Sequence, residues 1–382
     1  MGMNRAWQYR IYPSKSQEKE LNNYLYECKN LWNSLLEYTK IYHEGTREFP
    51  TRKKLYILTK DTKLFSQVAQ NVADRLSKSL AGVIARKKAG KKVGFPRFKS
   101  IERVKSFTYP QFGFKLREKL ELSGIGSIAI KKHRNIQGKI KTLTIKKTHS
   151  GKWYAIFTSE IEGKMPPKKE GLPVGIDLGI EHFAYCSDGE SIENPRNLKQ
   201  LEQRLMARHR QLSKKKKGSK NRRKARIKVA IAYENLVNKR KDFLHKISRK
   251  LVKKYSFIAL ENLNVLGMAR GFLAKHVLDC SWSEFLSMLT YKAEGAGCEV
   301  VLVEPAHTTQ ECSSCGLVLK KSLAERWHDC SCGASMHRDL NAAINILNRA
   351  TSGIGGSQAC LRRSLCMQAS SMKQEAHAFM RG

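Results

Sequence analysis

The sequence predicts a multidomain α+β protein, and three observations support that class. The chain has 382 residues, 41% of them hydrophobic, which is enough for two or three domains with their own cores. β-like runs enclose a helical block in the N-terminal half, whereas strands alternate with helices beyond Val174. Two closely spaced cysteine pairs near the C-terminus indicate a separate metal-binding module.

The N-terminal half predicts a β-rich module that is interrupted by helices. NRAWQYRIYP alternates apolar and more polar residues, as a strand does. A helical pattern follows Pro13 and Ser14, resumes from about Phe65 to Lys88, and gives way to β-like runs from about Phe107 to Glu162. EGKMPPKKEGLP is typical of an interdomain linker. Four aromatic residues are predicted to lie mainly in the core: Trp7, Tyr9, Tyr12 and Trp32.

The C-terminal half predicts an RNase H-like domain. VGIDLG, HFAYCSDG and SIEN read as three strands, followed by a basic helical region that extends to about Lys254. The strand FIALENL, a helix near Trp282 to Glu294, the strand CEVVLVEP and a last helix from about Asp339 complete the order. With the cysteine segment set aside, the order is β-β-β-α-β-α-β-α, which is that of the RNase H-like fold.

The charge of the chain points to a polyanionic partner. Lys and Arg number 72 against 33 Asp and Glu, giving a net charge of +39 and a pI near 10.0. Nucleic acid is the default partner for such a chain. Anionic membrane is the alternative, but the basic stretches lack the wide apolar face of an interfacial helix. The sequence also has neither a run of about 18 apolar residues nor a signal-peptide core, so we expect an intracellular protein with reduced cysteines.

Basic residues concentrate in the stretch from Gln200 to Val229, which holds 13 Lys or Arg and one acid, Glu202. A run of this kind is often just a solvated helix face. In a nucleic-acid-binding protein such a run would instead contact the phosphate backbone. RKKAGKKVGFPRFK is a second basic cluster, in which Phe95 and Phe98 either stack on bases or pack in the core. The nucleic-acid contacts predicted here are Lys214, Lys215, Lys216, Lys217, Lys220, Arg222, Arg223, Lys224, Arg226 and Arg338.

Two cysteine clips predict a structural zinc ribbon. Cys312-x2-Cys315 and Cys330-x-Cys332 supply the four thiolates of a closed tetrahedral shell. Gly316 and Gly333 each follow the second cysteine of their clip, where tight knuckle turns need small residues. His328 and His337 could each replace a thiolate but are more simply surface histidines. The other six cysteines are predicted to be ordinary thiols: Cys28, Cys186, Cys280, Cys298, Cys360 and Cys366.

Three carboxylates are the candidate catalytic residues. Asp177 lies on the apolar strand VGIDLG, Glu261 ends FIALENL, and Asp339 opens the last helix. An RNase H-like sheet would bring them together, and two Mg²⁺ ions would then relieve their repulsion. Each residue also has an ordinary interpretation, such as the N-cap of a helix for Asp339. GIDLG is found in actin-like ATPases too, but those need a second copy of the domain, and the sequence has none.

Several motifs resemble TnpB, a family of RNA-guided nucleases encoded by insertion sequences and related to type V CRISPR effectors. They are GIDLGIEHFAYCSDG, KKKKGSKNRRKAR, DFLHKIS, IALENLNV, TTQECSSCG and HRDLNAAINIL. The resemblance runs in order from Tyr9 to about Ala350. It implies a wedge-like β-barrel module with an inserted helical recognition domain, then a RuvC nuclease domain with an inserted zinc ribbon.

The resemblance implies domain boundaries and site residues. The wedge-like module would occupy 1–15 and 92–165, the recognition domain 16–91, the RuvC domain 166–308 and 337–350, the zinc ribbon 309–336, and a flexible tail 351–382. Asp177, Glu261 and Asp339 match the RuvC acids, and the four clip cysteines match the ribbon ligands. The family commonly has His-Asp-Arg-Asp where this chain has Met336-His337-Arg338-Asp339, so one acid of the pattern is replaced.

The expected function is RNA-guided cleavage of DNA beside a short flanking motif by two-Mg²⁺ hydrolysis. The expected partners are a guide RNA from the transposon end and double-stranded target DNA, with no membrane, in the cytoplasm of a prokaryotic cell in association with the nucleoid. Two alternatives stay open at this stage. One is a nuclease-silent, RNA-guided repressor, and the other is a transposase that joins DNA strands.

Overall fold

The computed structural model describes residues 3–162, 166–322 and 325–352, which fall into two units, Met1–Lys164 and Met165–Gly382. The predicted tail at 351–382 lies outside the described residues from position 353 onward, as do Cys360 and Cys366. Among the described residues, no helix combines the length and the apolar character needed to cross a bilayer.

The first unit contains a seven-stranded antiparallel sheet that is nearly closed into a barrel, in the order β2-β6-β7-β1-β5-β4-β3. The strands are β1 Met3–Tyr12, β2 Ser106–Tyr109, β3 Phe114–Leu116, β4 Leu120–Leu122, β5 Gly126–Lys131, β6 Lys139–Lys147 and β7 Trp153–Ile161. Trp7, Tyr9 and Ile11 are buried on one face of β1. The core prediction is wrong for Tyr12, which is 53% exposed because the next residue after Ile11 points to the opposite face.

Three helices lie between β1 and β2 in the chain, as the helical pattern predicted: α1 Lys15–Thr46, α2 Arg52–Ile57 and α3 Ser66–Lys88. Ser14 starts α1 with a capping box, in which its hydroxyl accepts from the Gln17 amide and the Gln17 side chain accepts from the Ser14 amide. The apolar stripe from Leu21 to Leu36 is buried, Trp32 included. The helical spacing read from the sequence is therefore the packing face of α1.

The second unit is built on a five-stranded sheet in the order β10-β9-β8-β11-β12. The strands are β8 Pro173–Asp177, β9 His182–Cys186, β10 Ser191–Glu193, β11 Phe257–Glu261 and β12 Glu299–Val303. β8, β11 and β12 run parallel, whereas β9 is antiparallel to both of its neighbours. The parallel strands end at one edge of the sheet, which is where α/β proteins usually place their ligands.

The helices of the second unit include the predicted ones and two short helices after β11 that the sequence analysis did not predict. They are α4 Asn197–Ser213, α5 Lys220–Lys254, α6 Val265–Met268, α7 Ala274–Cys280, α8 Trp282–Glu294 and α9 Arg338–Thr351, with a hairpin of β13 Trp327–Asp329 and β14 Ser335–His337 before α9. The basic region is two helices with a break at 214–219. Ser219 caps the second helix by accepting a hydrogen bond from the Arg222 amide.

The strand β11 of the five-stranded sheet is covered on both faces. Ile258 and Leu260 of β11 join a core with residues of α5 and α8, whereas Ala259 packs with Ile346 and Ala350 of α9. This explains why β11 is continuously apolar from Phe257 to Leu260, since a strand covered on both faces has no solvent side.

Gly175 allows α9 to lie against β8. A Cβ at this position would be 2.1 Å from the Ala343 carbonyl oxygen and 2.7 Å from the Leu347 amide nitrogen. Only a residue without a side chain permits this approach. The approach fixes where the first turn of α9, with Asp339, meets the ends of the strands.

Candidate active site

Two of the predicted acids lie side by side at the carboxyl ends of parallel strands. Asp177 is the last residue of β8 and Glu261 the last residue of β11. Ile176 is paired with Leu260 in the register of these strands, so the next residues along are the two acids. Asp339 is the second residue of α9, which packs on the same sheet. The fold thus brings together three residues that are far apart in sequence.

The electrostatics of Asp177 depend on both of the other acids. Burial raises the pKa of Asp177 to about 8, and the charges of Glu261 and Asp339 act in the same direction. The Arg338 guanidinium opposes the rise, and its Nε lies 3.8 Å from Asp339 Oδ1. A cluster of acids that protein cations neutralise only in part is suited to bind metal cations through oxygen.

Thr308 contacts the second acid and was not identified from the sequence. Its Oγ1 donates a hydrogen bond to Glu261 Oε1, and both residues are buried. Burial raises the pKa of Glu261, whereas the Thr308 hydrogen bond and the charge of Arg349 lower it. A threonine between β12 and the first cysteine clip carries no local pattern that marks it as a neighbour of Glu261.

His337 occupies one of the two positions at which this chain departs from the family pattern, the one where the family has an acid. It is the N-cap of α9, and its Nδ1 accepts a hydrogen bond of 3.3 Å from the Asp339 amide. Its ring stacks on Tyr185 at 5.3 Å and 10° and meets Trp327 edge-on at 6.4 Å. The histidine therefore fixes the start of the helix that carries Asp339.

The four clip cysteines form one cluster, with all four Sγ atoms within 4.8 Å of one another. The Sγ atoms of Cys312 and Cys332 are 3.7 Å apart, and those of Cys315 and Cys330 are 3.6 Å apart. Zinc–sulfur bonds of about 2.3 Å in a tetrahedron place sulfurs about 3.8 Å apart, so the spacing fits zinc.

The knuckle turns of both clips have the predicted glycine conformation. Gly316 and Gly333 have φ values of 80° and 86°, in the left-handed region that favours glycine. Each donates its amide to the carbonyl of the first cysteine of its clip, Cys312 and Cys330, at 2.9 Å.

His328 is not the surface residue that the sequence predicted, because it is 0% exposed. It is the middle residue of β13, so its side chain points to the face opposite Trp327 and Asp329, which are exposed. The Lys321 ammonium donates to its Nδ1, and burial lowers the pKa of His328. It is therefore a neutral, buried residue of the hairpin.

The predicted basic contacts differ in exposure. Lys214, Lys215, Lys216 and Lys217 are exposed in the break between α4 and α5. Exposure continues on the first turns of α5 at a further set: Lys220, Arg223, Lys224 and Arg226. Arg222 is half-buried, and its guanidinium donates to the carbonyls of Leu212 and Lys215. Arg222 thus closes the turn between the helices, while its neighbours present their charge to solvent.

The two phenylalanines of the second basic cluster have different surroundings. Phe95 packs edge-on against Phe49 at 5.4 Å, so it belongs to the core of the first unit. Phe98 is 47% exposed, with the Lys40 ammonium 4.5 Å from its ring centre. Of the pair, Phe98 is therefore the exposed residue.

Comparison with known proteins identifies relatives along the whole chain. Family models described as "Helix-turn-helix domain", "Probable transposase" and "Cas12f1-like, TNB domain" match residues 1–48, 156–271 and 282–346. A Streptomyces pristinaespiralis protein named "Putative RNA-guided DNA endonuclease" is 32% identical, over 98% of this chain and 96% of that protein. The "TnpB-like protein L770" of Acanthamoeba polyphaga mimivirus is 25% identical, over 88% of this chain and 72% of that protein. The chain belongs to the TnpB family.

Other relatives of this TnpB chain agree. "Putative RNA-guided DNA endonuclease InsQ" of Escherichia coli K12 is 29% identical over 90% of this chain and 91% of that protein. A solved structure titled "Cryo-EM structure of the Cas12f1-sgRNA-target DNA complex" matches with a TM-score of 0.57, covering 91% of this chain and 99% of that chain. At 14% identity, this likeness concerns the mixed α/β fold alone. The described part of residues 1–48, despite the description of its family model, has one strand, Met3–Tyr12, and one continuous helix, Lys15–Thr46.

Proposed function

We propose that this TnpB protein is an RNA-guided DNA endonuclease of an insertion sequence, with one RuvC active site formed by Asp177, Glu261 and Asp339. The observation that carries the proposal is the meeting of three carboxylates where β8, β11 and α9 converge. Relatives named as RNA-guided DNA endonucleases support the choice of substrate and guide. The second unit would then be the RuvC domain, and the first the wedge-like and recognition modules.

The chemistry of the donor set fits divalent cations. Carboxylate oxygens are the preferred ligands of Mg²⁺. Burial is the main reason that the pKa of Asp177 is raised, and the charges of Glu261 and Asp339 add a repulsion that cations would relieve. Two Mg²⁺ ions bound there would activate a water and stabilise the leaving oxygen of a phosphodiester. Asp177 and Glu261 present their oxygens from rigid strand ends, and Arg338 places a guanidinium next to Asp339 for a phosphate. The four cysteines would hold one structural Zn²⁺.

The exposed lysines and arginines from Lys214 to Arg226 would contact the backbone of the guide–target duplex. They are suited to this role because phosphate contacts supply affinity without reading sequence. The net charge of +39 favours such binding. The guide RNA would come from the transposon end, and protein contacts would read a short motif beside the target.

The test is cleavage by the protein co-expressed with RNA from the 3′ flank of its own gene. The substrate is a plasmid library with a fixed, matched target and randomised flanking bases, in Mg²⁺. We expect cutting beside one flanking motif, and no cutting by Asp177→Ala, Glu261→Ala or Asp339→Ala, because each variant lacks one donor of the metal site. All three variants should still bind guide RNA and target DNA in a gel-shift assay.

The products separate the alternatives. Free double-strand ends support the endonuclease, whereas strand-transfer joints would identify a transposase. Motif-specific binding without cutting by the wild type would identify a repressor. Undiminished cutting by all three purified variants would contradict the assignment of the active site.

A further inference from the structure

Polar residues follow one stripe of α9, the helix that carries Asp339. Asn341, Asn345 and Arg349 are spaced four residues apart and therefore lie on one face. Asn341 is 0% and Asn345 4% exposed, which is unusual for amides in a helix so rich in alanine and isoleucine. Buried amides of this kind need partners, and all of theirs lie in one segment of the chain.

That segment runs from 304 to 313, between the end of β12 and the first cysteine clip. Asn345 Nδ2 donates to the carbonyls of Thr308 and Glu311, at 2.9 and 2.7 Å. Asn341 Nδ2 donates to the same Glu311 carbonyl at 2.7 Å, and its Oδ1 accepts from the Ser313 amide at 2.9 Å. The two asparagines thus fasten the segment to α9 through its backbone.

Arg349 continues this attachment at the other end of the stripe. Its guanidinium donates to the carbonyls of Glu304 and Ala306 and pairs with the Glu311 carboxylate at 2.6 Å. His307 has a φ of 60°, which a residue with a side chain seldom adopts. Its neighbours on both sides are bound to α9, so these bonds maintain the unfavourable backbone just before Thr308.

The outcome of this attachment is the position of the Thr308 hydroxyl. The hydroxyl has one proton and two acceptors within reach, Glu261 Oε1 and the Pro305 carbonyl, the latter 3.3 Å away. The carboxylate is the nearer and the charged acceptor, so it takes the proton. Thr308 is 2% exposed, which keeps water from replacing its hydrogen bond.

We propose that Thr308, held by Asn345, is a positioning residue that fixes the orientation of the Glu261 carboxylate for the proposed cation site. The inference rests on the proposed function, because it assigns a role to a residue that supports one of the proposed metal ligands. The cation site then depends on a bond between two segments that are 47 residues apart. Residues that orient metal-binding carboxylates typically change metal affinity or activity by about 10–100-fold when substituted.

The decisive comparison is Thr308→Ser with Thr308→Ala. Serine and alanine have nearly the same volume, and both lack the γ-methyl group of threonine. The two variants therefore differ from each other only in the hydroxyl. Thr308→Val tests the same loss with the original shape retained. Thr309→Val is the matched control for Thr308→Val. It replaces the neighbouring threonine, which is half-buried, by valine in the same way.

Two measurements are made on the full chain with its guide RNA. The first is the single-turnover rate of target cleavage across a Mg²⁺ titration. The second is the rise in melting temperature caused by Mn²⁺ alone, which requires no cleavage. We expect Thr308→Ala and Thr308→Val to cut about 10–100-fold more slowly at limiting Mg²⁺ and to need more Mn²⁺ for the same stabilisation. Thr308→Ser should lie within about threefold of the wild type, and Thr309→Val should match it.

Each outcome bears on one claim. Equal rates and equal Mn²⁺ responses for the serine and alanine variants would overturn the positioning role, even if Thr308→Val does not fold. In that case the proposed function still stands if Asp177→Ala is inactive. Cutting by Asp177→Ala at the wild-type rate would instead refute the proposed active site itself.

Discussion

Gly175→Ala is the substitution that most directly tests how the fold positions Asp339. The added Cβ would lie 2.1 Å from the Ala343 carbonyl oxygen, 2.7 Å from the Leu347 amide nitrogen and 2.9 Å from Leu347 Cβ. Ordinary contacts between such atoms are about 3.3–4.0 Å. Two of the three contacts are with helix backbone, which cannot rotate away, so α9 must move by about 1 Å.

The expected cost follows from that displacement. Forcing one additional carbon into a packed interface typically costs about 1–3 kcal/mol, and contact with backbone favours the upper half of this range. For a unit of this size each kcal/mol lowers the melting temperature by about 2–4 °C, so we expect a fall of about 4–12 °C. Because Asp339 moves with α9, a displacement of about 1 Å should also slow cleavage by about 100-fold.

Thermal unfolding and single-turnover cleavage in Mg²⁺ measure the two effects. Gly271→Ala is the matched control in the same unit, since the nearest atom to its added Cβ is the Met268 carbonyl oxygen at 3.5 Å. It should change stability by less than about 1 kcal/mol and leave cleavage unchanged. A Gly175→Ala protein with the melting temperature and rate of the wild type would show that α9 does not lie against β8 in this way.

Two further predictions concern the metal sites. Burial and neighbouring acids raise the pKa of Asp177 to about 8 in the folded protein. The contribution of Asp177 to the free energy of unfolding is therefore fully present below about pH 4, where the residue is protonated in both states, and is lost as the pH rises through 8. Without divalent cations at pH 7.5, Asp177→Asn should therefore stabilise the protein by about 2–4 kcal/mol in thermal unfolding, and the gain should vanish at pH 4 or on adding Mn²⁺. A gain that does not change with pH would refute this explanation. Cys332→Ser should lower bound zinc from about one per chain, measured by elemental analysis, because it removes one of four thiolates. Cys298→Ser, at a buried cysteine outside the cluster, should retain the metal, and equal zinc in both variants would show that Cys332 is not a ligand.

Local patterns were sufficient to predict many of the elements. The helical stripe of α1, the strand VGIDLG and the helix from Trp282 to Glu294 were each visible in a single window, because their burial follows a period of 3.6 or 2 residues. The spacing of the cysteine clips was also a local signal, because each clip closes within a tight turn, and it predicted that the four thiols would cluster. The assignment of the three acids as catalytic ligands stays a prediction, although the structure brings them together.

Other features depended on which partners the fold supplies. Tyr12 is exposed because it lies on the face of β1 that the sheet leaves open to solvent. His328 is buried because it lies on the face of β13 that the rest of the protein covers. Arg222 belongs to the predicted basic surface by sequence, but carbonyls at the end of α4 bind its guanidinium. In each case the residue type allowed both outcomes.

The sequence by itself therefore determined the order of the elements, the charge of the protein, the cysteine cluster and its resemblance to TnpB. Only the tertiary structure decided that Thr308 would contact Glu261, that Asn345 would hold Thr308, and that a glycine on β8 would set the place of α9. The physical reason is that these are contacts between residues dozens of positions apart. Periodicity and spacing describe how a segment folds, whereas the chemistry of such a contact exists only once two segments are packed together.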